Sequence, residues 1–160
     1  MRRAGHPRLT AWVAACILAL AAPLTAQDVR DADAAWVRGD LPAAERLYLQ
    51  ILQADSTDGQ ALHRLALIRG WADRHDESIA LFDRLLRHEP TNMEARVDRA
   101  RVLAWRGDEG GAAAALDSAL ALEPRFVPAL VARAQIVSWR GAHEEALEIY
   151  GRALEVNPAN

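Results

Sequence analysis

The chain has 160 residues, 51% hydrophobic and 26% charged, which suffices for one ordinary core and is too little for two large domains. Its apolar content excludes wholesale disorder, and a formal charge of −3, with 19 Arg and no Lys against 22 acids, offers no clustered positive surface for nucleic acid. The single Cys cannot form an internal disulfide.

The first element is a leader. Arg2, Arg3 and Arg8 precede an uncharged apolar run from Leu9 to Leu24, and small residues follow at Thr25 and Ala26. This order of charge, apolar run and small residues predicts a secretory signal peptide over 1–26, with Gln27 as the mature start. The run is short for a membrane-spanning helix and is interrupted by Pro23. Val13-Ala14-Ala15-Cys16 resembles a lipobox, but lipidation at Cys16 would leave Ile17-Leu18-Ala19-Leu20 as a greasy mature start. Cleavage after Ala26 is therefore preferred. The leader carries three of the 19 Arg and none of the 22 acids, so its removal takes the charge from −3 to −6. An exported product, periplasmic or secreted, is expected.

Leu41–Ala54 is the next clear helix, with Pro42 in its first turn, where Pro is tolerated. Asp58–Ala72, Met93–Arg106 and Val127–Arg140 follow as first helices of hairpins, rich in Ala, Leu and Arg. His75–His88, Glu109–Leu122 and His143–Val156 are their second helices. First helices end at Asp73, Gly107 or Gly141, second helices before Pro90, Pro124 or Pro158, where the missing amide stops a helix. No strand is expected.

One period runs through all of this. Ala32, Ala66, Ala100 and Ala134 lie 34 residues apart, as do Ala44, Ser78, Ala112 and Ala146. Large apolar residues keep the same step at Tyr48, Phe82, Leu116 and Tyr150, and Leu52, Leu86, Leu120 and Leu154 form another column. Small columns let the two helices of a hairpin approach closely, and a hairpin alone cannot bury its apolar face, so the units must stack.

This pattern resembles the tetratricopeptide-repeat (TPR) family across 27–160, as four units at about 25–58, 59–92, 93–126 and 127–160. The resemblance implies an all-α, right-handed superhelical solenoid whose first helices line a concave groove, and an exported scaffold for protein–protein interaction. It is also similar to periplasmic TPR regions ahead of outer-membrane barrels in polysaccharide-export proteins, which share W-x-G turns, so a segment of such a system is the alternative. Unit one departs most, with Asp28 and Asp31 where later units have Leu62 and Leu65.

His63, Leu67 and Trp71, with Val97, Arg101 and Trp105 and with Val131, Gln135 and Trp139, form i, i+4, i+8 stripes that the resemblance turns toward the groove. Two readings of the Trp column stand: an aromatic ladder that grips a peptide or polymer, or rings that fold over the turns and pack on the adjacent unit. Arg38, Arg106 and Arg140, with Arg99 and Arg133, would suit a carboxylate in the groove, but their place near helix C-termini favours solvated charges against the macrodipole. The Lys and Asn of carboxylate-clamping TPR domains are absent from the matching columns.

The mature histidines, His63, His75, His88 and His143, form no metal-ligand spacing, and no phosphate loop or catalytic pair is evident. No enzyme activity, cofactor or metal is expected. At the other end, nothing in the chain covers Leu147, Tyr150 and Leu154. An exposed apolar edge of this kind predicts either a longer array or burial against another copy or a partner.

Overall fold

A computed structural model describes residues 25–158, which fold as eight helices without a strand among them. They are α1 (Ala26–Val37), α2 (Leu41–Ala54), α3 (Gly59–Trp71), α4 (His75–His88), α5 (Met93–Trp105), α6 (Glu109–Leu122), α7 (Val127–Trp139) and α8 (His143–Val156). All four second helices have the bounds expected from the sequence, and the later first helices differ from expectation by about a residue at either end. Residues 1–24 of the leader lie outside the described residues; its last two, Thr25 and Ala26, cap and open α1, so the expected cut after Ala26 falls in the first turn of that helix.

Local chemistry sets the ends. The turn within each hairpin passes through a left-handed residue: Gly39, Gly107 and Gly141 at φ 73°, 91° and 82°, and Asp73 at 57°. Glycine takes this conformation without a Cβ penalty, and Asp is among the few other residues that tolerate it. At the starts, Asp40, Asp58, Asn92 and Asp108 each accept a hydrogen bond from the backbone amide three residues on. Thr25 caps α1 in a reciprocal box with Asp28. Asp28 is thus a capping partner rather than merely a wet substitute for Leu62.

The repeat columns become the packing seams. Ala32, Ala66, Ala100 and Ala134 are fully buried, facing Ala44, Ser78, Ala112 and Ala146 across each hairpin. Ser78 satisfies its hydroxyl by donating to the Ala66 carbonyl at 2.7 Å, which lets a polar side chain stand in a small-residue seam. Phe82, Leu85, Val97, Val102 and Leu116 then fill the central core between units, with smaller clusters around Tyr48 and around Ile149 at the two ends.

Each second helix packs on the next first helix, and the first helices also approach one another, α3 with α5 and α5 with α7. Among the described residues no two second helices do so. The first-helix row is therefore the inner side of the stack.

Candidate functional site

The inner face is polar and linked across units. His63 of α3 bonds through Nε2 to the Asp98 carboxylate of α5 at 2.9 Å, and Arg101 donates to the other oxygen of Asp98 at 2.8 Å. All three side chains are half-buried, which strengthens these bonds relative to open water. His63 also meets Phe82 edge-on at 5.6 Å, so the core fixes its ring. One unit earlier, Asp33 accepts from the Gln60 amide at 2.6 Å and from the buried Tyr48 hydroxyl at 2.9 Å. Burial and the Asp33 charge both push the Tyr48 hydroxyl well above its ordinary pKa, so it stays a donor.

Two adjoining depressions run along this face. One of about 230 Å³ includes Gln60, His63, Arg64 and Glu94, and the next, about 210 Å³, is lined by Glu94, Val97, Asp98, Arg101 and Pro128. The structure thus brings His63, Val97 and Arg101 together, although Val97 is buried and contributes only floor. Leu67 packs on the central core and Val131 on the C-terminal one, while Gln135 is half-buried on α7.

The Trp column goes elsewhere. Trp71, Trp105 and Trp139 are the last residues of their helices and remain 51%, 39% and 58% exposed. Trp71 and Trp105 line a separate cleft at the turn end. Packing on the neighbouring unit is seen where Trp36 stacks on Trp71 with centroids 5.3 Å apart and where Trp105 lies against Gly70.

The helix-end arginines Arg38, Arg106 and Arg140 are exposed, and the last two, with Arg99 and Arg133, also form ion pairs. Arg106 donates to Asp76 of the preceding unit at 2.9 Å, and Arg140 lies 3.5 Å from Glu109. Arg99 donates to Asp83 at 2.6 Å and Arg133 to Asp117 at 3.0 Å, the same bond one unit apart. These are ties between units. A period-34 pair of columns, Asp83/Asp117 and Arg99/Arg133, was the available signal. Asp76 and Glu77 are likewise engaged, by Arg106 and Arg74.

Among the described residues there is no group of three His, Cys, Asp or Glu side chains placed to hold a metal, and no helix is long and apolar enough to cross a membrane.

Paired helices of 12 to 14 residues, alternating three- and four-residue connections and a small-on-small seam in every hairpin give the helical-solenoid fold of tetratricopeptide-repeat proteins. Solved structures agree on the fold. A MamA structure superposes with a TM-score of 0.70 at 18% identity, covering 82% of this chain and 77% of that one. MamA from Desulfovibrio magneticus RS-1 gives 0.69 at 16%, covering 84% and 76%. YrrB, a TPR protein with an unusual peptide-binding site, gives 0.63 at 20%, covering 82% and 68%. No protein-family model and no curated protein matches the chain.

Proposed function

We propose that this chain is a non-catalytic scaffold that holds a polypeptide segment along its first-helix face. The observation that carries this reading is the pair of adjoining depressions built around His63, Asp98 and Arg101. They present fixed donors and acceptors where a peptide backbone and its polar side chains need them. The short connections leave no loop to close over a substrate, in keeping with binding rather than turnover. The peptide-binding site of YrrB, on the same fold, supports a peptide as the ligand class.

A photocrosslinking residue placed at Arg101 or Gln135, with Arg87 on the exposed side of α4 as control, tests this in cells. Products from the two inner positions and none from Arg87 are expected. The same products from all three positions would overturn the groove assignment.

The leader supports placing the scaffold outside the cytoplasm, with Gln27 as its mature start, and intact-mass measurement on exported protein decides it. A role within a polysaccharide-export or outer-membrane assembly system is the narrower form of this reading. The exposed Leu147 and Leu154, beside half-buried Tyr150, support a second contact by self-association along α8.

A further inference from the structure

The indoles at the turn end do not form a uniform row. Between the first two units the interval is closed: Trp36 lies on Trp71 with their planes 22° apart, and the Arg64 guanidinium carbon sits 4.4 Å from the Trp36 ring centroid. One period after Trp36 stands Gly70, so the second interval has a hydrogen where the first has an indole. Trp105 comes down on this bare backbone. A Cβ on Gly70 would crowd Val102 at 3.1 Å and Ser78 at 3.3 Å, and would reach contact distance of Trp105 at 3.4 Å. Beside it a cleft of about 340 Å³ opens, lined by Gly70, Trp71, Asp73, His75 and Trp105.

The lining restricts the occupant. Two half-exposed indoles offer flat faces whose quadrupoles attract cations. Asp73 adds a carboxylate that is almost wholly exposed, with His75 Nε2 at a loose 3.7 Å. No Arg lines the cleft, and the nearby Arg106 is held by Asp76 and Asp108. An anion would meet an aromatic face and a carboxylate together, both unfavourable. The closed interval shows the same surface satisfied from within the chain, by a guanidinium on an indole.

We propose that the Trp71–Trp105 cleft is a second recognition site, which takes an arginine side chain of a partner polypeptide against an indole face with its charge toward Asp73. It lies at the turn ends, apart from the depressions of His63 and Arg101, and stands whether or not the groove binds peptide.

The test titrates the capped peptide Ac-Gly-Arg-Gly-Arg-Gly-NH2 into the full chain and follows the indole N–H signals by NMR. Saturable shifts are expected at Trp71 and Trp105, and smaller ones at Trp139. Asp73→Asn should weaken binding about three- to tenfold at low salt, since Asn tolerates the left-handed backbone there and only the charge is lost. A His63→Ala/Arg101→Ala variant should bind the peptide as the parent does, which separates this site from the groove. The proposal is overturned by absence of saturation, by undiminished affinity in Asp73→Asn, or by an equal response to Ac-Gly-Glu-Gly-Glu-Gly-NH2 or to maltohexaose. Loss of the shifts in the groove variant would also overturn it, by assigning the peptide to the other face.

Discussion

Helices α4 and α8 carry nearly the same pattern and meet different surroundings. Ile79 and Leu147 stand in one repeat column, yet Ile79 is 8% exposed and Leu147 69%. Phe82 is fully buried, while Tyr150 in its column is only half-buried. Within their hairpins the helices are alike, since Ser78 and Ala146 both face a buried alanine of the first helix. The difference is external: α5 packs on α4, and among the described residues α8 touches α7 alone. Burial of the large column is thus conferred by the next unit, and burial of the small column by the hairpin itself.

The largest expected effect tests that division directly. Phe82→Ala empties a site in the central core and should cost about 3–5 kcal/mol. Tyr150→Ala removes a side chain with one face already in water and should cost less than half as much. Urea denaturation of the two variants measures the gap. Equal losses would mean that α8 is as well covered as α4, and the comparison would fail.

The small column should behave in the opposite way. Ala112→Leu and Ala146→Leu both overpack an intra-hairpin seam and should each cost about 1–3 kcal/mol, in the middle and at the end of the stack alike. Ala121, exposed on α6, should accept Leu at almost no cost. A melting temperature for Ala146→Leu close to that of Ala121→Leu would show that the last hairpin is looser than its seam implies.

The same division explains what the sequence made legible. Helix bounds and hairpin seams depend on contacts within about twenty residues, and periodicity, Gly and Pro mark these. The ties between units depend on how hairpins stack. Asp83 with Arg99 is marked only by its repeat one period on at Asp117 and Arg133, and His63 with Asp98, 35 residues apart, shares no local signature. The Trp column shows a further limit. Steps of four residues advance about 400° on a helix, so a stripe drifts by about 80° over eight residues. That drift, together with the terminal place of Trp71, Trp105 and Trp139, moves the rings off the line of His63, Val97 and Arg101 and onto the turn-end edge.

Helix starts sharpen the contrast on a smaller scale. α1 begins with a complete capping box, whereas Ala142 at the start of α8 gives no side-chain cap. In the uncleaved chain Thr25→Ala should lose about 1 kcal/mol, a contribution that cleavage after Ala26 removes. Thr25 hydrogen bonds hold the Asp28 carboxyl below its ordinary range. Because the folded pKa is the lower one, this contribution is complete above the ordinary carboxylate pKa and is lost as pH falls through the lowered value. The gap between the parent and Thr25→Ala should therefore narrow in acid, which thermal melts at neutral and strongly acidic pH would measure. Conversely, Ala142 has φ −83° and ψ 65°, close to Asp40 at −79° and 73° and Asp108 at −89° and 68°. Ala142→Asp should supply the missing acceptor and gain about 0.5–1 kcal/mol.

The smallest effect on stability is expected where the effect on association is greatest. Leu147 and Leu154 lie largely in water, at 69% and 47% exposure, so replacing both with Glu removes little burial and should leave the urea midpoint almost unchanged. The same change places two charges in the centre of the only large apolar face that α8 presents, where contact with another surface would require their desolvation. If α8 is an association surface, the parent chain should show a mass that rises with concentration in light scattering, and the Leu147→Glu/Leu154→Glu variant should stay monomeric over the same range. The two measurements belong together: unchanged stability shows that the edge contributes nothing within the chain, and lost association shows that it serves a contact outside it. A parent that remains monomeric at high concentration, with the variant no more soluble, would remove self-association as the use of this edge while leaving the difference between α4 and α8 intact.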